Sequence, residues 1–492
     1  MKKILLLILI FVGHFVSAQT AAKWENLYGQ NGNEYGYRVR TCVDQGYIVA
    51  GSTSSTGISD GYVVRVDSLG LVMWYKYLIG NNVDILRSIS QLPDSGYVLA
   101  GYSNSTGTHG GYDGWVVRMN QYGDTLWTRY IGTPDWDFFY DVAPTYDGGF
   151  ILCGGTYGIG AGEEDMWFVK IDANGDTLWT KTYGGIKTDE ARSIIETGDS
   201  LLAVAGFSYS LGDSLGDSWI LRMDEVCDTI WTRTLQLRAA SADKAFGIAD
   251  ISVYGRLMVV GETSSRYGDP DGYYRCFNYA GDTLFTDIHG GAGSIDNFSG
   301  VVTRPNASFA VVGTTENVSG GGHGDFYFYN DHNGGFITSF GTFQPEAGYS
   351  IDITHDDGYI LCGYSQGFNS FVPQVMLIKC DTTGFSTGLI GIREEPTLLS
   401  NAATTVFPNP ANEKATITYD AFKSVQGKLT LELFDLSGRN VMQIPFSQWQ
   451  MLSAKNFSCT LETASLNEGM YQYVIADDAG TKCAGKIVVS HE

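Results

Sequence analysis

Carboxylates recur at fixed places along this chain, and they are the residues whose type and spacing suit chemistry. Seven glycines (Gly51, Gly101, Gly154, Gly206, Gly261, Gly313 and Gly363) end copies of a motif typified by Gly46-Tyr-Ile-Val-Ala-Gly51. Seventeen residues before each stands an acid: Glu34, Asp84, Asp137, Asp189, Asp296 and Glu346, with Asp243 one position earlier in the fifth copy. A second set, Asp60, Asp113, Asp165, Asp217, Asp271 and Asp325, recurs in six copies, and Gln374 stands near its place in the seventh. Two chemistries fit. A carboxylate at a loop-to-strand junction accepts hydrogen bonds from turn N–H groups, and repetition in every copy suits that role. A ring of inward acids would instead repel itself and hold Ca²⁺, a hard cation satisfied by six to eight oxygens.

No nucleophile, base and orienter stand together in the sequence, and there is no His-rich metal spacing and no phosphate loop. Arg87 and Arg192 share a position but fall in the second and fourth units. His109 and His323 are isolated in Gly-rich loops and read as solvent-exposed side chains. The balance is against an enzyme.

The elements that must position these acids follow from the repeat, about 52 residues long and present seven times between Trp24 and Gly384. In one copy, residues 179–183, 191–196, 201–206 and 217–224 read as four short strands separated by Gly, Asn and Asp turns. The fold class expected is all-β: a seven-bladed β-propeller, with a small Ig-like β-sandwich after it. The first copy of the Trp strand precedes the other three strands of its unit, so this N-terminal piece should complete the last blade and close the ring. Trp74, Trp127, Trp179 and Trp231, with Phe285, read as apolar wedges between blades. Arg65, Arg118, Lys170, Arg222 and Lys379 read as a solvated face with buried stems. Both acid sets should open on one face, which also carries the longest and most variable loops, the usual seat of recognition on a rigid scaffold.

Composition agrees with many short strands: of 492 residues 62 are Gly, 13% are aromatic and only 17% are charged. Lys2 and Lys3, the apolar run Ile4 to Val12 and the small residues Val16-Ser17-Ala18 form a secretory signal over residues 1–18. No later segment is apolar enough to span a bilayer. The formal charge of −23 disfavours nucleic acid and bare anionic membranes, leaving cations or neutral ligands such as a glycan or a protein surface. Of eight cysteines, Cys153 and Cys362 sit at equivalent core positions, and only Cys459 and Cys483 share a short domain and are the pair to consider for a bridge. The domains expected are the signal 1–18, the propeller 19–384, a linker 385–404 and a C-terminal domain 405–492.

That last domain begins Val406-Phe407-Pro408-Asn409-Pro410-Ala411, turns at Phe434-Asp435-Leu-Ser-Gly438-Arg439, continues through Gly469-Met-Tyr471 and closes with Lys486-Ile-Val-Val489. In order and spacing these residues resemble the type A C-terminal sorting domain of the type IX secretion system of Bacteroidota. The resemblance implies the sorting motif Pro408, Asn409, Pro410, Gly438, Arg439, Gly469, Tyr471 and Lys486, and export to the outer surface or beyond. It implies the secretion machinery and a sortase as partners, and attachment to lipopolysaccharide or release as the two fates. The repeats resemble those of uncharacterised secreted bacterial propellers. The turn Asp172-Ala-Asn-Gly-Asp176-Thr-Leu-Trp179 resembles, with altered spacing, the Asp-box of sialidase propellers, itself a structural turn. Asp124-Thr-Leu, Asp176-Thr-Leu, Asp228-Thr-Ile and Asp282-Thr-Leu are similar to the O-glycosylation acceptor pattern of Bacteroidota. The sequence therefore points to a surface or secreted binding protein; the alternatives are a carbohydrate-active enzyme on the same scaffold and a structural surface component.

Overall fold

The computed structural model describes residues 23–491 apart from 30–31, 106, 213–214, 239–240, 265–268, 291–293, 317–323, 332–335, 342–343, 368–371, 385, 387–403, 408–410, 421–427, 435–439, 452–455 and 478–479. The signal segment, His323, most of the linker, and Pro408, Asn409, Pro410, Gly438 and Arg439 lie outside the described residues. The chain divides into two units, 1–391 and 392–492.

The first unit is built of seven antiparallel four-stranded sheets, and no α-helix occurs among its described residues. Six are consecutive in sequence; the first, for example, runs Glu34–Thr41, Tyr47–Thr53, Asp60–Val66 and Val72–Leu78. In the seventh, Glu346–Ile353, Tyr359–Ser365 and Gln374–Cys380 are completed by Trp24–Tyr28 from the start of the chain, with Trp24 opposite Lys379 and Tyr28 opposite Val375. The first strand of each sheet packs on the first strand of the next, and that of the seventh sheet packs on that of the first. The latter contact carries hydrogen bonds: Ser350 Oγ and Asp352 Oδ2 accept from the backbone of Val39 and Thr41.

Apolar residues fill the spaces between sheets. The middle strands are buried on both faces, so Tyr47–Thr53 and Asp60–Val66 are covered throughout. Each neighbouring pair of sheets shares one cluster, such as Leu99, Trp115 and Ile48 between the first and second, or Tyr62, Val64, Leu377 and Cys362 between the first and seventh. The recurring tryptophans are wedges. Trp24, Trp74, Trp127 and Trp231 lie against Gly70, Gly123, Gly175 and Gly281, the left-handed turn glycines of the next sheet round. Cys153 and Cys362 are fully buried free thiols, as their small-core positions require.

One local feature recurs in all seven sheets. The pairing of first and second strand slips by one residue, at Gly36/Arg38, Leu86/Ser88, Phe139/Asp141, Ala191/Ser193, Ala245/Gly247, Phe298/Gly300 and Gly348/Ser350. These are β-bulges, each with one extra residue on the first strand. Each bulge faces one of the seven repeat glycines. At Gly101 a Cβ would stand 1.8 Å from the Ile85 carbonyl oxygen, and at Gly154 the Phe138 oxygen is equally close. Only glycine tolerates that approach.

The buried basic residues differ from the expectation of a solvated face. Arg65, Arg118, Lys170, Arg222 and Lys379 are buried, and each pairs with an acid of the turn between the first two strands: Asp44, Asp94, Asp147, Asp199 and Asp356. The strand phase that looked polar faces a neighbouring sheet, and the charge is matched locally because burying it alone would be prohibitive. Asp172 Oδ1 accepts from the N–H groups of Asn174 and Asp176, so that turn is held by its own side chain.

The second unit is a β-sandwich. Thr404–Phe407, Lys414–Asp420, Asn456–Glu462 and Gln450–Met451 form one sheet, and Asn440–Ile444, Thr430–Phe434, Gly469–Asp477 and Gly480–Val489 the other. One core of Ile417, Leu431, Leu433, Leu461, Tyr473, Ile475 and Ile487 joins them. Gly469 opens its strand at φ +148, Tyr471 is buried with its hydroxyl donating to the Asn467 carbonyl at 2.8 Å, and Lys486 lies opposite Gln472. Cys459 is a free, buried thiol.

Gly101→Ala is expected to lower stability by about 2–3 kcal/mol, since an added methyl must displace the Ile85 carbonyl of the bulge. Gly57→Ala, where a Cβ meets nothing within 4 Å, should cost less. Urea unfolding of both variants checks this.

Candidate functional site

Both acid sets stand at strand starts, as their spacing implied, with Asp271 one residue inside its strand, and the structure brings them together in pairs. The backbone N–H of six of the seven first-set acids donates to the carbonyl just before a second-set position in the preceding sheet: Asp84 to Ser59, Asp137 to Tyr112, Asp189 to Glu164, Asp243 to Gly216, Glu346 to Gly324 and Glu34 to Pro373. The paired carboxyls meet above a glycine at the end of the fourth strand. Asp165 Oδ1 and Asp189 Oδ2 both lie within 3 Å of the point where a Cβ on Gly184 would stand, and Asp113 and Asp137 flank Gly132 in the same way.

The acids are nearly all buried and take turn hydrogen bonds. Thr53 donates to Glu34, Ser105 to Asp84, the backbone and hydroxyl of Thr133 to Asp137, Gly185 N to Asp189, Ser241 to Asp243, Ser294 to Asp296 and Ser365 to Glu346. Burial pushes the carboxyls of Asp84, Asp137 and Asp325 up, and the second acid of each pair, Asp60, Asp113 and Glu346, adds to the effect. Among the described residues, no three His, Cys, Asp or Glu side chains are placed to share a metal ion. His109 is 55% exposed and its Nδ1 lies 2.5 Å from Asp113 Oδ2, so it belongs to one of these joints.

Chemistry of a different kind gathers along the packed first strands, on the residues that the bulges insert. These are Tyr37, Arg87, Tyr140, Arg192, Phe246, Ser299 and Tyr349, one from each sheet. The Arg87 guanidinium lies 4.3 Å from the Tyr37 ring and 5.9 Å from Tyr140; that of Arg192 lies 4.2 Å from the Tyr140 ring and 5.5 Å from Phe207. Separation in the second and fourth units therefore does not keep the two arginines apart, because the intervening third sheet supplies the ring both contact. Below them Asp141 takes Arg38 Nη2 on both oxygens at 2.9 Å, Ser88 Oγ at 2.6 Å and Ser193 Oγ at 3.0 Å, tying four sheets together.

From this cluster an aromatic track leads outward. Phe138 stacks on Tyr140 and meets Tyr102, Tyr112 and Tyr157 at 5.0–6.4 Å. Trp136 packs on Tyr112 and Tyr157 and is 52% exposed, and Tyr157 is 39% exposed. Glu164 is buried beside the track, 3% exposed, with Tyr157, Glu190 and Arg192 as its neighbours. Burial first, then the Glu190 carboxylate, push it up to about 8. Glu190 itself pairs with Arg192 at 2.5 Å. Glu164 is thus pushed toward its protonated form beside a second carboxyl that faces Arg192.

The spacing signal for the axial residues was present: they stand fourteen residues before the repeat glycines, fifteen in the fifth unit. Their types vary, Tyr, Arg, Tyr, Arg, Phe, Ser, Tyr, so they do not look like a motif.

Residues 405–490 match the model of the secretion system C-terminal sorting domain. This segment is the type IX sorting domain its motifs resemble, and it directs export to the cell surface or extracellular space. No curated protein matches the chain. Among solved structures, Sqt1 of Chaetomium thermophilum is 13% identical with a TM-score of 0.40, over 70% of this chain and 82% of that one. An α-L-arabinanase of Penicillium chrysogenum, complexed with arabinobiose, is 10% identical with a TM-score of 0.39, over 60% and 92%. An endo-arabinase of Bacteroides thetaiotaomicron is 10% identical with a TM-score of 0.34, over 61% and 94%.

Because the folded-state value of Glu164 lies above the ordinary 4.5, the stability this carboxyl supports is present in full below that pH and is lost as pH rises through about 8. The melting temperature is expected to fall between pH 5 and pH 9, and Glu164→Gln, neutral throughout, should flatten that part of the profile. Calorimetry of both proteins across this range is the check.

Proposed function

We propose that this is a binding protein of the cell surface or extracellular space that holds a glycan at the aromatic mouth around its axis. The first unit is a seven-bladed β-propeller closed by the strand Trp24–Tyr28, and the sorting domain hands it to the type IX machinery. The observation that carries the reading is the half-exposed Trp136, braced by Tyr112 and Tyr157 over Phe138. A large aromatic side chain left open at a loop-rich end, on a supported track that runs inward to Tyr140, offers a flat apolar face to the C–H face of a sugar ring. Tyr hydroxyls and the Glu164 carboxyl supply hydrogen-bonding groups beside it.

A second reading is favoured by one observation. A raised carboxyl, Glu164, beside a second carboxyl, Glu190, that faces Arg192 is the kind of acid pair glycoside hydrolysis uses. Polysaccharide turnover abolished by both Glu164→Gln and Glu190→Gln would select it.

For the binding reading, Trp136→Ala is expected to weaken retention on a polysaccharide panel by about tenfold or more while leaving the melting temperature within a degree or two, because the ring is half in solvent. Unchanged retention would sink it. Removal of residues 405–490 should leave the protein inside the cell envelope, and fractionation of cultures expressing the full and shortened chains reads this directly.

A further inference from the structure

The cations at the axis are not equivalent. Arg38 is matched by Asp141 at 2.9 Å, Arg192 by Glu190 at 2.5 Å and Lys244 by Glu262 at 3.7 Å. Arg87 differs. It is half-buried, its guanidinium lies over the Tyr37 ring, and among the described residues it takes neither an ion pair nor a hydrogen bond. Its nitrogens are not among the sealed, unpartnered polar atoms, so water reaches them. A guanidinium covered on its face by aromatic rings keeps its edge, where the N–H donors lie, for a planar anion. Tyr37, Tyr140 and the bulge that inserts Arg87 fix the direction of that edge.

We propose that Arg87 receives the carboxylate of an acidic sugar, so that the glycan taken at the mouth is a polysaccharide bearing uronate or similar carboxylated residues. This rests on the glycan reading above and names its ligand class. A carboxylate matches the fork with two parallel hydrogen bonds, which a neutral hydroxyl cannot do. The surrounding groups are aromatic rings, which suit sugar C–H faces more than the charged side chains of an acidic peptide. The net charge of −23 gives a polyanion no long-range attraction, so recognition is local, one carboxylate at one guanidinium, and the ligand carries its acids spaced among neutral sugars.

The test uses the full secreted chain and a panel of uronate-containing polysaccharides, hyaluronan oligosaccharides among them, each beside its carboxyl-reduced counterpart and a set of neutral glycans and acidic peptides. At least one acidic polysaccharide should bind, and carboxyl reduction should weaken it about tenfold or more. Arg87→Gln should cause a similar loss, and Arg87→Lys should recover only part of it, since the charge returns without the fork. Melting temperatures of both variants report folding separately. Equal binding of reduced and native polysaccharide, untouched by Arg87→Gln, overturns the proposal while the glycan reading stands. Capture of acidic peptides alone, or of nothing on the panel, overturns both.

Discussion

The approach of a bulged carbonyl to a glycine is the constraint on which the rest of the first unit depends. In each sheet the first strand carries one residue more than its partner, and the second strand yields space for it only because it has no side chain at that point. The bulge bends the first strand toward its neighbour and turns the extra residue out of the ladder. Sheet curvature, the contact between successive first strands and the supply of axial side chains all follow from it. A lost glycine would therefore disturb the scaffold and the site together.

Charge is managed by the same repetition. Buried cations answer turn acids within their own sheet, and buried acids answer turn donors between sheets. The acid pairs are costly because two carboxyls share a buried joint, and the raised carboxyls of Asp84 and Asp137 register that cost. What offsets it is the backbone bond from first-set acids such as Asp84 and Asp137 to the preceding sheet, together with the Thr and Ser hydroxyls that reach the carboxylates. The joint is a device for fastening sheets, repeated because every sheet must be fastened.

The architecture was legible in the sequence because its causes are local and repeated. Turn residues, the Gly-ended strand and the Trp wedge each recur at one period, and the out-of-phase first Trp strand identified its partner in the last unit, where Trp24 faces Lys379. The basic residues were misjudged because alternation reports which face a residue occupies, and both faces of a middle strand here are covered. The arginines at the axis were underrated for a geometric reason. Sequence order counts units, whereas side chains from alternate sheets meet on whatever the sheet between them presents, here Tyr140. The sorting segment was readable from scattered residues because its strands and turns keep a fixed order; five of its eight motif residues lie outside the described structure.

Departure from symmetry, on a frame this regular, is what separates function from scaffold. Every sheet needs a bulge, but nothing in the bulge dictates which side chain it carries, so the choice is free to serve something else. In the sixth sheet it carries Ser299, while the first four carry Tyr37, Arg87, Tyr140 and Arg192, and the exposed aromatics Trp136 and Tyr157 lie next to that same arc. Glu164 is likewise unmatched: the residues in its place in other sheets, Ser59, Tyr112 and Gly216, carry no acid. A scaffold requirement would have been repeated seven times. Two exposed aromatic rings, a guanidinium without an acid partner among the described residues and a buried carboxyl at a place where Ser59, Tyr112 and Gly216 stand in other sheets, gathered around the third sheet, are what a site for one asymmetric ligand looks like when it is built on a symmetric support.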